Sequence, residues 1–243
     1  MIKFFNKTIE LFLSVRTAIW LFNLILAMFL AGALIMPGRK EFQSIHATTM
    51  FEWLKEQPVG ITWWLWGLIV ILSVLAINTV FCSIDSLIKK QKVTRWLILL
   101  APQIIHTGFL FILLAHLLSA LGSFQEYAVV RQGSILKIKN TGKTLRVQDI
   151  HMLSDHSGHI TDWSVNIEYL SNGKIFHKDT IKPNKPSLEM GFNVNVKDIR
   201  MAPHKTALLQ ISKEPGAVWA LFGSLLFIAG IVTLIALKIK LER

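Results

Sequence analysis

Two histidines stand where a chain rarely places them. The stretch "APQIIHTGFLFILLAHLLSALGSF", residues 101–124, is apolar enough to cross a bilayer yet carries His106 and His116. A polar or ionisable group in hydrocarbon costs roughly 2–3 kcal/mol or more unless something satisfies it, so each is a functional-site candidate. Neutral imidazole is a common ligand for haem iron and other metals. On one helix the ten residues between them correspond to ~15 Å of rise and about 80° of rotation. The two axial ligands of a single iron must lie within a few ångströms of it on opposite faces, so this pair cannot serve one haem. Either each ring has its own partner on another element, or one is functional and the other incidental. The alternative for both is an imidazole hydrogen-bonded to a neighbouring helix.

Counted from the basic segment before this stretch, His106 is about ten residues deep, near mid-membrane, and His116 lies towards the opposite interface. No other apolar stretch contains a histidine. If His106 ligates iron, the opposite ligand comes from an outer domain, another loop or another subunit, and its depth favours a subunit. His46 and His204, the latter in "MAPHKT", are candidate ligands near the membrane surface. "HMLSDHSGH" has three histidines, His151, His156 and His159, but neither zinc-ligand spacing nor cysteine, and reads as a solvated loop. Asn23 is expected to be an interhelical packing contact. No Ser/His/Asp arrangement, phosphate-binding loop or in-span carboxylate pair is evident, so nothing supports hydrolysis or ATP use.

Composition supplies the elements that would position these groups. The chain has 243 residues, 52% hydrophobic and 17% charged, with formal net charge +11 and mean hydropathy +0.48. Its apolar residues gather in long runs, which points to a membrane protein. The basic excess has no Lys/Arg block interleaved with aromatics, so nucleic acid is not an expected partner. One cysteine, Cys82, excludes an internal disulfide and any CxxC motif.

Four stretches are long enough to span about 30 Å of hydrocarbon: residues 17–36, 61–84, 96–121 and 217–237. The expected fold is therefore a membrane α-helical protein with four transmembrane helices and a mainly β extracytoplasmic domain between helices 3 and 4. Residues 1–16 form a cytoplasmic interfacial helix. Residues 17–121 hold three transmembrane helices and an outer loop, 37–60. That loop precedes "TWWLW", read as an aromatic belt. Residues 122–216 form the β domain, where "WSVNIEYL", "KIFHKDTI", "GFNVNVKDI" and "TALLQISK" alternate as antiparallel strands of a sandwich or barrel. The fourth helix occupies 217–237 and a cytoplasmic tail 238–243. Lys3, Lys7 and Arg16, then Lys89, Lys90, Lys92 and Arg95, then Lys238, Lys240 and Arg243 fall on one side. This puts both termini in the cytoplasm of a multi-pass protein of a bacterial-type inner membrane.

The order of these parts resembles a known family. "FLSVRTAIWLFNLILAMFLAGALIMP" resembles the opening of the ResB/CcsB proteins of System II cytochrome c biogenesis, where a Ser-Val-Arg-like start leads into a first span ending near a proline. "HTGFLFILLAHLLSALGSFQEYAVVRQGS" is similar to that family's third span and its strand-forming exit. "IKPNKPSLEMGFNVNVKDI" and "ISKEPGAVWALFGSLLFIAGIV" resemble its outer-domain ending and last span. The chain is shorter than most members, chiefly in the outer domain.

The resemblance implies a haem-handling membrane subunit. ResB-like proteins pair with a CcsA-like membrane partner bearing a tryptophan-rich haem motif, and the two deliver haem across the membrane and attach it to apocytochrome c. "TWWLW" is not that partner's motif, so the chain is at most one subunit of a haem lyase or synthase complex. The resemblance places His106 as one axial ligand of a transient haem shared with the partner, whereas His116 matches no ligand position. Two other readings remain open: a b-type haem electron-transfer subunit of a quinol-linked complex, and a non-catalytic membrane scaffold.

Overall fold

The computed structural model describes residues 14–89, 96–138, 141–157, 159–201 and 203–242. The chain forms two compact units, Met1–Gly122 with Pro215–Arg243, and Ser123–Glu214. Most of the expected interfacial helix at residues 1–16, and the basic segment from Lys90 to Arg95, lie outside the described residues.

The first unit is helical. It contains α1 (Val15–Ile35), α2 (Met50–Glu56), α3 (Val59–Lys89), α4 (Trp96–Gly122) and α5 (Ala217–Glu242). By length and composition, α1, α3, α4 and α5 could each cross a membrane. Runs of Leu, Ile, Phe and Ala leave them apolar all round, and a helix satisfies every interior backbone group within itself. Two helices outrun the sequence-based bounds. α3 continues past Ile84 through "DSLIK", and α5 continues past Leu237 through "KIKLE", because neither extension contains a glycine or proline to stop it.

Helices α4 and α5 are antiparallel and pack through small residues. Gly216, Gly223 and Gly230 recur every seven positions on α5 and at its start, facing Ala115, Gly108 and Ala101, which recur every seven on α4. A Cβ on Gly108 would stand 2.6 Å from the Phe227 amide nitrogen and 2.7 Å from the Gly223 carbonyl oxygen. A Cβ on Gly216 would collide with the Ala115 carbonyl oxygen. Glycine therefore allows backbone-to-backbone contact along the seam. Beside it, the Phe111 and Trp219 rings stack at 5.7 Å.

Residues 37–60 are a folded element. Two 3-10 turns, Met36–Gly38 and Lys40–Ser44, lead to α2. Phe42, Trp53, Leu54, Trp64 and Leu65 form one buried cluster. The Trp53 indole N–H donates to the Glu41 carbonyl at 3.1 Å. The aromatic-belt expectation for "TWWLW" is thus divided: Trp63 and Trp66 are exposed, but Trp64 turns inward against Gly32, where a Cβ would come within 2.6 Å of its ring.

The second unit is a β-sandwich of two four-stranded antiparallel sheets, ordered β1-β8-β7-β6 and β2-β3-β4-β5. Its strands are β1 (Phe124–Val130), β2 (Ile135–Lys137), β3 (Lys143–Ser154), β4 (Ile160–Ser171), β5 (Lys174–Ile181), β6 (Ser187–Glu189), β7 (Phe192–Arg200) and β8 (Thr206–Lys213). Alternate residues of both sheets, Leu145, Val165 and Ile167 among them on one side and Val194, Leu209 and Ile211 on the other, enter a single core. The β4–β5 hairpin turns at Asn172 and Gly173, both at positive φ, the conformation a two-residue hairpin loop requires. The pairing of Phe124 with Lys213 sets the first and last strands side by side, so the insertion begins and ends at one place.

Candidate functional site

His106 faces α3. Its Nδ1 lies 2.8 Å from the Ser83 hydroxyl, a contact between helices. The ring is half-buried. Within the apolar stretch Leu99–Gly122, His106 is seven residues in, ~10 Å along the axis and short of the midpoint. Ser83 sits at a matching depth, five residues before Ile88, where the apolar stretch of α3 ends. The hydrogen bond fixes the ring plane, and among the described residues Nε2 takes no hydrogen-bond partner. A metal-bound histidine normally uses its second ring nitrogen in just such a contact, which sets tautomer and orientation. The same bond is also what a purely packing histidine makes. With Ser83 as acceptor, Nδ1 carries the proton and the Nε2 lone pair is the coordinating group.

Gln103 stands one turn earlier on α4, directly after Pro102. Its Nε2 is buried and has no hydrogen-bond partner among the described residues. The Trp64 indole nitrogen is also buried and unpartnered among the described residues. Its ring, however, is wedged among Gly32, Phe42 and other aromatics, which leave no room for a ligand. Gln103 and His106, three residues apart on α4, occupy neighbouring positions on one side of the helix. Pro102 was no part of the sequence-based site. A proline in an apolar run, followed by glutamine and three residues later by histidine, was the available signal.

The other candidates separate. His116, ten residues on, is exposed on the helix surface. His46 is exposed in the turn before α2, and His204 is exposed in the β7–β8 connection. No group of three or more His, Cys, Asp or Glu residues positioned for a metal occurs among the described residues. Asn23 differs from expectation: its amide donates to the Ile19 carbonyl of its own helix at 2.8 Å, because that acceptor is always within reach and the residue faces outward. In "HMLSDHSGH", the Asp155 carboxylate accepts from the backbone of Ser157 and His159, while His151 reaches Asp149 at 2.9 Å.

Two polar clusters stiffen the sandwich. On β4 the Glu168 carboxylate, 4% exposed, accepts from Lys178 at 2.9 Å and from the Arg146 Nε at 2.8 Å. Hydrogen bonds from Lys178 and then Arg146 hold its pKa below the usual value. The fully buried Tyr169 hydroxyl meets Ser187 at 2.9 Å, and burial pushes its pKa up to about 12. Both clusters are closed by their own partners and shaped for stability.

A haem bound at one subunit asks for a single imidazole nitrogen, a dry apolar surround and a partner for its carboxylates. His106 presents one such imidazole nitrogen, and nothing in the described helices supplies the second axial ligand.

No family model matches the sequence, and no curated protein matches it. Among solved structures the chain is similar to one described as "Cytochrome c Heme Lyase CcmF", with 13% sequence identity and a TM-score of 0.44. The match covers 86% of this chain and 34% of that one, so the chain spans about a third of its length.

Proposed function

We propose that the chain is a membrane subunit that handles haem during c-type cytochrome assembly, with His106 as one axial ligand and a CcsA-like partner supplying the other. One observation carries the reading: an in-span imidazole whose Nδ1 is held by Ser83 and whose Nε2 has no partner among the described residues. The sequence resemblance supports it independently. Four helices of spanning length and the basic residues at alternate connections support an inner-membrane setting, with the termini in the cytoplasm and the β-sandwich outside. Apocytochrome c is then the acceptor. Bound haem iron would be poised by its axial ligands and the apolar surround; this chain's residues hold the ring, keep water away and leave one coordination position to a second protein. An electron-transfer cytochrome would need paired ligands within the bundle, and His106 and His116 are too far apart along one helix to provide them.

The test is His106→Ala in a cell that depends on this chain for its c-type cytochromes. Covalent haem staining should disappear while the protein still accumulates in the membrane. Normal cytochrome maturation in that strain would end the proposal.

A further inference from the structure

Asn23 of α1 is exposed on the side of its helix turned away from α3. Leu21 and Ile25, two residues before and after it, join Leu68 and Leu75 of α3 in one buried cluster. Asn23 therefore projects about 200° round the axis from both. It stands eight residues into the apolar stretch Val15–Gly38, ~12 Å along the axis, inside the hydrocarbon of a bilayer about 30 Å thick. Among the described residues its one hydrogen bond runs from Nδ2 to the Ile19 carbonyl of its own helix. The second Nδ2 proton and the Oδ1 acceptor remain for another group, and lipid chains offer none. Polar side chains within spans ordinarily face other helices and bond across to them.

We infer that α1 is the contact between two copies of this chain, joined by reciprocal hydrogen bonds between their Asn23 amides. The surrounding face suits a second helix. Ile19, Leu26 and Leu30 are each more than half exposed, and with Asn23 they follow the four-three-four spacing of a coiled-coil seam. A carboxamide is both donor and acceptor, so it complements an identical group. Two copies in one membrane share an orientation, so a two-fold axis along the bilayer normal sets α1 parallel to its counterpart. Both amides then lie at one depth. A single asparagine in an otherwise apolar seam fixes register and a two-stranded state in this way. Arg16, one step back on the same stripe, ends the seam, its long stem carrying the charge out to the headgroups. The contact uses neither α4 nor His106, so it stands independently of the haem reading.

The full-length chain in a Cys82→Ser background is oxidised in native membranes with copper phenanthroline. Leu26→Cys and Leu30→Cys should give disulfide-linked dimers, whereas Leu24→Cys, exposed but off the seam, should give far fewer. The purified chain is then reconstituted in vesicles of phosphatidylcholine and phosphatidylglycerol, and energy transfer between differently labelled copies is followed as lipid is added. It should show dimers whose dissociation constant rises about 3–30-fold in Asn23→Leu. Asn23→Gln, which keeps the amide, should stay within about threefold of the wild type. Equal crosslinking from positions 24 and 26, or undiminished association in Asn23→Leu, overturns the inference. So does a chain that is monomeric in the vesicles, or a seam cysteine that links only to a different protein.

Discussion

At the scale of single residues, the chain's chemistry rests on what each polar side chain finds to bond. Ser83 is one of several hydroxyls on α3, yet it reaches across to His106, whereas Ser73 and Thr79 bond carbonyls of their own helix. If His106 is a ligand, Ser83→Ala should lower haem affinity by roughly 10–100-fold, as losing an outer-shell partner typically does. It should also broaden the Soret band without reducing protein level; unaltered titration and spectrum would show that Ser83 does not orient the ring. In the sandwich, Glu168 gives a prediction about pH. Its folded-state pKa lies below the ordinary value of 4.5, so its ion pairs stabilise the fold above that value and are lost as pH falls through the folded pKa. Tyr169 acts in the opposite range: with its pKa raised to about 12, its contribution is present below about pH 10 and is lost as pH climbs towards 12. Urea unfolding followed by the β-sheet circular dichroism signal should show wild-type stability dropping over the interval from about pH 4.5 downward through the folded pKa. Glu168→Gln should be less stable at pH 6 and flatter across that interval. A variant with the wild-type slope would place the acid sensitivity elsewhere.

Among elements, the α4–α5 seam is the most demanding contact. Leucine at Gly108 would drive carbon atoms into the Phe227 backbone, and backbone cannot step aside as a flexible side chain can. Overpacking of this kind costs about 1–3 kcal/mol or more. Gly108→Leu should therefore reduce membrane accumulation and lower the detergent melting temperature. Gly38→Ala is the control, since a Cβ there meets nothing within 4 Å. Equal accumulation of both variants would mean that the helices do not depend on close approach at this level. The seam also matters to the site: α4 carries His106 and Gln103 on the side away from its glycine row, so packing of that row holds the helix that presents them.

For the molecule as a whole, orientation decides which side receives the ligand. The three basic groups at alternate connections predict that the sandwich is outside and both termini are inside. In a Cys82→Ser background, cysteine placed at Ser157 should react with a membrane-impermeant maleimide in intact cells. Cysteine placed at Lys240 should react only after permeabilisation. The reverse pattern would turn the protein over and put His106 near the outer leaflet.

Much of this was legible in the residues alone, because hydrophobic runs and alternation are local properties of a sequence. The four apolar helices, the strand-rich insertion and the oddity of His106 all follow from such local patterns. The seven-residue spacing of Gly216, Gly223 and Gly230 was equally visible, but its meaning depends on Ala115, Gly108 and Ala101 a hundred residues away. Tertiary structure alone decided which helix lay beside His106, which of its ring nitrogens was occupied, that the Gln103 Nε2 was enclosed without an acceptor among the described residues, and that Trp64 rather than Trp63 turned inward. Each of these is a contact between parts of the chain that packing brings together, and no local pattern encodes the identity of a distant neighbour.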